Sequence, residues 1–157
     1  MPRHPYKKKS VKLDPVYNST EVSKFINYLM KDGKKSKARD IVYAALEHLG
    51  KEGEDSMKLL YKAINNVAPN VEVKPRRLGG ASYLVPTEVR KERKLYLALN
   101  WIIEAAEAKP NKEFHTFEEK LIGELLDASK NQGQAVSKKL QAEKLAEANK
   151  AFAHLKW

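Results

Sequence analysis

Residues 70–86 read NVEVKPRRLGGASYLVP, and here the apolar pattern changes its period. Val71 and Val73 alternate with Glu72 and Lys74, a Gly79-Gly80 pair follows, and Tyr83-Leu84-Val85 resumes an extended pattern. Alternation on both sides of a two-glycine turn predicts a β-hairpin over about 71–86. No other strand candidate is found in the chain. The ribbon therefore has no sheet to join, and an isolated two-stranded ribbon is marginal in water, so it has to lean on helices or on a partner. Pro75 and Pro86 suit a ribbon whose edges are free.

Upstream of the hairpin the period is helical. Ser19 is placed to cap a helix whose apolar residues Val22, Phe25, Ile26, Leu29 and Met30 follow i, i+3, i+4, i+7 spacing and stop at Gly33. Ser36 opens a second helix with Ile41, Val42, Ala45, Leu46 and Leu49 on one face and Gly50 as its end. A third starts after Asp55-Ser56, carries Leu59, Leu60, Ala63, Ile64 and Val67, and stops before Pro69.

Downstream, about Lys91 to Ala108 is apolar on many sides, with Leu95, Ala98, Leu99, Ile102 and Ala105 on one stripe and Leu97, Trp101 and Ile103 beside it. Such a helix belongs at the centre of a bundle. Thr116-Phe117-Glu118-Glu119 reads as a capping box opening a fifth helix that runs to Gly133. A sixth is expected from about Ser137 to His154, with Leu145, Ala148, Phe152 and Leu155 as its apolar stripe. The fold class that results is mainly α: a six-helix bundle with one protruding two-stranded ribbon. Residues 1–12 are read as a basic arm and 13–157 as a single helical domain.

The formal net charge of +10 over 157 residues points to a polyanionic partner. It is unevenly spread: the cationic excess is six over residues 1–50, four over 51–100 and zero over 101–157. The arm, with two prolines and no acid, has too little apolar surface to order by itself and is expected to order on its partner. Four basic clusters stand at an arm, loop or helix end: Arg3 with Lys7, Lys8 and Lys9; Lys34 and Lys35 with Lys31 and Lys37; Lys74, Arg76 and Arg77; and Arg90, Lys91, Arg93 and Lys94. Long side chains and backbone N–H groups at such places reach phosphates. The arm and the ribbon tip are expected to lack intramolecular counter-ions. Planar guanidinium groups beside Gly79-Gly80 suit bidentate phosphate contact with close backbone approach. Tyr83 reads first as a packing residue and second as a stacking one.

No catalytic constellation is legible. His4, His48, His115 and His154 are dispersed without ligand spacing, and Glu118, Glu119, Glu124 and Asp127 read as a charged solvent face. Phosphate-binding and nucleophile-elbow motifs are missing, so no cofactor, metal or small-molecule substrate is expected. The chain has no cysteine, which excludes disulfides and thiolate ligation. No stretch reaches the roughly 18 apolar residues of a membrane helix, and the start lacks a signal peptide's apolar region, so a soluble, unprocessed protein is expected. Charge alone leaves two rivals open, a DNA-binding helical protein and an enzyme acting on RNA.

Six stretches, in order, carry a resemblance: Asp14-Pro15-Val16-Tyr17; Leu29-Met30-Lys31-Asp32-Gly33-Lys34-Lys35; Pro69 to Lys74; Arg76-Arg77-Leu78-Gly79-Gly80; Val85-Pro86; and Ala146 to His154 with Trp157. Together they resemble the ribosomal protein S-seven family of the bacterial small subunit over nearly the whole chain. The resemblance implies a helical bundle with a β-ribbon, located in the cytoplasm in the small ribosomal subunit. It also implies primary binding of small-subunit ribosomal RNA that nucleates head assembly through the 3′ major domain. Partners implied are exit-site transfer RNA, the messenger exit path, and neighbouring head and platform proteins. Carried over by position, the RNA contacts would be Arg3, Lys7, Lys8, Lys9, Lys34, Lys35, Arg76, Arg77 and Arg93.

Overall fold

The structure is a computed structural model that describes residues 11–51 and 55–155. Three helices, α1 (Thr20–Leu29), α2 (Lys35–Lys51) and α3 (Ser56–Val67), precede an antiparallel ribbon of β1 (Val71–Leu78) and β2 (Ala81–Glu88). Three more follow, α4 (Lys91–Ala108), α5 (Phe117–Ser129) and α6 (Gln134–Ala148), and a short 3-10 turn spans Lys150–Leu155. The expected bundle and ribbon are both present. Among the described residues no helix is long and apolar enough to cross a membrane.

Helix starts follow the chemistry of their caps. The Ser19 hydroxyl accepts from the Val22 N–H, and Asp55 accepts from Met57. Thr116 and Glu119 form the reciprocal capping box. The buried Asp14 carboxylate accepts the backbone N–H groups of Val16 and Tyr17 at 3.1 Å and the Tyr43 hydroxyl at 2.9 Å, which ties the segment before α1 to α2. Burial, then that bond, raises the Tyr43 hydroxyl above its ordinary pKa.

The core joins Val22, Phe25 and Ile26 of α1 to Leu46 and Leu49 of α2, Leu60 and Ala63 of α3, Leu99 and Ile102 of α4, and Leu121 and Leu125 of α5, all at most 2% exposed. Helix α4 packs on α1, α3, α5 and α6, as a central helix should. It shares the centre with α5, which packs on α2, α3, α4 and α6. The Asn66 amide donates to the carbonyls of Ala128 and Ser129, closing the last turn of α5 from α3.

Several expected boundaries move. Gly50 lies inside α2, which runs on to Lys51. Helix α5 stops at Ser129 because Asn131 and Gly133 take positive φ of 61° and 94° in the turn that follows. Helix α6 then begins at Gln134 on Gly133, before Ser137, and ends at Ala148, well before His154. At that end the Asn149 side chain donates back to the Leu145 carbonyl at 2.8 Å, a local bond that competes with helix continuation. The stripe expected on the sixth helix is thereby broken. Leu145 is 48% exposed, Ala146 is buried in its place, and Phe152 sits on the 3-10 turn against Tyr83, ring centroids 5.4 Å apart. The ribbon leans on α6 and on this turn, the support that two strands alone require.

The glutamates of α5 also need correction. Glu124 is not on a solvent face: it is 1% exposed, accepts the Ala135 N–H at 3.0 Å, and lies 3.5 Å from Lys109 Nζ. Lys109 also meets Asp127 at 2.8 Å, and the buried Lys120 donates to the Lys109 carbonyl at 2.7 Å. This paired network joins the α4–α5 loop to the start of α6.

Candidate nucleic-acid interface

The ribbon's register sets the direction of every side chain on it. Residues paired across an antiparallel ladder share a face, and neighbours along a strand do not. Arg76 pairs with Tyr83, and Arg77 with Ser82. The two arginines therefore leave the tip on opposite faces, Arg77 exposed and Arg76 half-buried. They straddle the ribbon and are not directed at one shared point. Gly79 and Gly80, at φ 54° and 89°, form the two-residue turn, where both central positions need the left-handed region that glycine enters freely.

The third and fourth clusters fuse at the ribbon's base. Glu72, its side chain only 14% exposed, meets Lys74 Nζ at 3.2 Å and Arg93 Nε at 3.3 Å. Lys74, away from the tip, has a counter-ion because Glu72 two residues away lies on the same face of β1. Arg93 also stacks over Tyr96, 5.1 Å from the ring centroid. Lys94 donates to Asn70 Oδ1 at 2.7 Å. Arg90 and Arg93 line a groove with Lys74, while Lys91 and Lys94 line another, between α1 and α3. Arg90 is the N-cap of α4 and makes no side-chain capping bond there.

Lys34 and Lys35 stand elsewhere. They follow a turn in which Asp32 and Gly33 have φ of 54° and 73°, and Lys35 begins α2, whose first turn holds no acid. Lys34 lies 3.6 Å from Asp32, and Lys31 bonds to Glu107, whose hydrogen bond and charge raise the lysine's pKa. Glu107 is at the far end of α4 from Lys91. Sixteen residues at 1.5 Å each put these two cationic groups about 24 Å apart along the helix. The structure thus sets Lys74, Arg90, Lys91, Arg93 and Lys94 about the ribbon's base, leaves Arg76 and Arg77 nearer its tip, and places Lys34 and Lys35 at the other end of α4. Arg3, Lys7, Lys8 and Lys9 lie outside the described residues.

Cations at a helix start oppose its macrodipole, which is stabilised by negative charge. Lys35 and the Arg90–Lys94 cluster therefore give up a little stability, while leaving N–H groups and ammonium groups together where an anion can meet both. Glu124, missed from the sequence as a structural residue, did leave a signal. It falls at i+3 from Leu121 and i−4 from Ala128, within the apolar stripe of α5. Among the described residues no cluster of three His, Asp or Glu side chains is arranged to hold a metal ion.

Fold and site together define a bundle-and-ribbon protein with exposed cations on the ribbon and at helix starts. Residues 1–150 match the family described as Ribosomal protein S7p/S5e. The small ribosomal subunit protein uS7 of Sulfurihydrogenibium sp. is 50% identical over the full length of both chains, and that of Solidesulfovibrio magneticus 53% over the same span. The uS7 of Nautilia profundicola is 50% identical over 96% of each chain. The chain belongs to the ribosomal protein S7p/S5e family. It is accordingly a structural constituent of the small ribosomal subunit and not an enzyme; in bacteria that subunit is cytoplasmic.

Proposed function

We propose that the protein binds folded small-subunit ribosomal RNA through two cationic stations. One is formed by Lys34 and Lys35, the other by Lys74, Arg76, Arg77, Arg90, Lys91, Arg93 and Lys94, with Arg3, Lys7, Lys8 and Lys9 of the arm adding to them. The observation that carries this reading is the separation of about 24 Å between the stations along α4, each at a helix start. A few nucleotides of single strand do not offer phosphates at both places in a fixed relation, whereas a folded junction does. Phosphate contacts would anchor the protein, and the shape of the RNA would supply specificity.

In the same reading the protein nucleates assembly of the subunit head through the 3′ major domain. Its ribbon and final helix lie near exit-site transfer RNA and the messenger exit path, beside head and platform proteins. The family resemblance supports these finer statements, as does a ribbon that presents Arg77 and Leu84 to solvent.

The test is titration with a 3′ major domain transcript at several salt concentrations. Eight or so phosphate contacts predict a log–log slope on the order of −6 to −7. Excess duplex DNA should compete poorly. A slope near zero, or equal affinity for duplex DNA, would defeat the proposal.

A further inference from the structure

Tyr61 on α3 is mounted the opposite way from most tyrosines, which bury the ring and leave the hydroxyl wet. Its hydroxyl points inward and lies 3.2 Å from the buried Ser19 Oγ, yet the residue is 40% exposed. A hydroxyl engaged by a buried partner leaves the ring as the part of this side chain offered to a ligand. Tyr61 lines a groove between α1, α3 and the start of α4, with about 380 Å³ of open space, in the size range of small-ligand clefts. Ile64 and Leu95 give it an apolar side. Asn65, one helical turn beyond Tyr61, is exposed on the same edge of α3. Lys24, Lys91 and Lys94 also line the groove, with an acid, Glu92, between the last two.

One acid within it is well defined. Glu21 Oε2 accepts the hydroxyls of Ser19 and Thr20 at 2.9 and 3.0 Å. Burial raises this carboxyl's pKa, but its backbone bond, the two hydroxyls and the charge of Lys24 outweigh burial and hold it below the ordinary value. It therefore stays ionised at neutral pH. A carboxylate repels phosphate and accepts N–H donors, so the groove sorts a nucleotide's parts: phosphates toward the lysines, a base toward Glu21 and Tyr61.

We infer that this groove receives a single unstacked RNA nucleobase, which stacks on Tyr61 while Glu21 and Asn65 read its polar edge. The inference rests on the RNA-binding reading above and adds to it a place where sequence, and not only shape, is recognised. The Glu21 carboxylate only accepts, so it favours a base with donors side by side, as guanine's N1–H and amino group are, over uracil, whose single N3–H lies between two carbonyl acceptors. Lys24 joins the phosphate-facing residues. By contrast, the groove lined by Lys31, Lys34 and Lys37 has the apolar side chains of Leu29, Ile41 and Phe117 as its other walls, with Glu107 already bonded to Lys31.

The experiment uses the full chain and a transcript of the 3′ major domain. Irradiation of the wild-type complex at ultraviolet wavelengths should cross-link the α3 peptide containing Tyr61 to one nucleotide. Tyr61→Leu should bind roughly 5- to 150-fold more weakly, the range for losing one stacked base, with an unchanged salt slope because no phosphate contact is lost. Tyr61→Phe, which keeps the ring face, should retain most of the affinity. Changing the cross-linked nucleotide to uracil should weaken wild-type binding. Cross-links confined to other peptides, or Tyr61→Leu binding like the parent, would overturn the groove assignment and leave the RNA-binding reading standing. If the wild-type protein ignores the transcript, both fall.

Discussion

The α5–α6 junction and the β-ribbon use the same charged residue types to opposite ends. At the junction Glu124 and Lys120 are almost wholly buried, and Lys109 nearly so; each has its partners, and the charges hold helices together. On the ribbon Arg77 is exposed at a two-glycine tip, and Lys74 is more than half exposed though paired with Glu72. A buried pair contributes by being complete, because either member alone would be an uncompensated charge in a poorly hydrated place. An exposed cation adds little to stability and remains available to an outside anion. Burial, and not residue type, separates the charges that build this protein from those offered to a ligand.

The contrast can be broken most forcefully at Glu124. Glu124→Ala would leave the Ala135 N–H and Lys109 short of a buried acceptor and is expected to cost about 3–5 kcal/mol of stability. Urea unfolding checks it, and a loss under 1 kcal/mol would show that the junction is not held by its charges. RNA affinity of the folded fraction should stay unchanged.

The ribbon should respond the other way. Arg76→Ala with Arg77→Ala is expected to leave the unfolding midpoint and helical circular dichroism in place. It should weaken binding to the 3′ major domain transcript by about 3 kcal/mol, taking about 1.5 kcal/mol per charged contact, or roughly 150-fold. The salt slope should become shallower by about 2. Undiminished affinity would remove the tip from the interface.

Gly133→Ala probes the junction's backbone. Its φ is 94°, and an added Cβ would come within 2.8 Å of Glu124 Oε1. Strain and displacement of that carboxylate predict a loss of about 1–3 kcal/mol, read as a lower melting temperature. A neutral result would mean that the turn relaxes around the methyl group.

The smallest effect is expected at the ribbon's base, where Glu72→Gln removes the partner of both Lys74 and Arg93. Both cations are about half exposed and water screens their pairs, so stability should fall by no more than about 1 kcal/mol while RNA affinity rises by up to about fivefold. Weaker binding would indicate that Glu72 positions these cations and does not compete for them.

Much of this molecule was legible in its sequence because helix and hairpin signals are local. Ser19, Asp55 and the Thr116–Glu119 box mark helix starts through bonds spanning two or three residues, and Gly79-Gly80 marks the turn by a backbone preference. The cationic clusters were equally visible, since charge is a property of residue type.

Only the tertiary structure decided what each charge does. Glu124 became a buried cap because α6 folds back onto α5, and Lys74 acquired a counter-ion because the strand turns Glu72 to the same side. The Lys34–Lys35 and Arg90–Lys94 clusters were set at opposite ends of α4 because α1 runs beside that helix. The reason is physical: a side chain's period is set by its neighbours within a few residues, whereas its hydration and its partners are set by segments that meet only when the chain has folded.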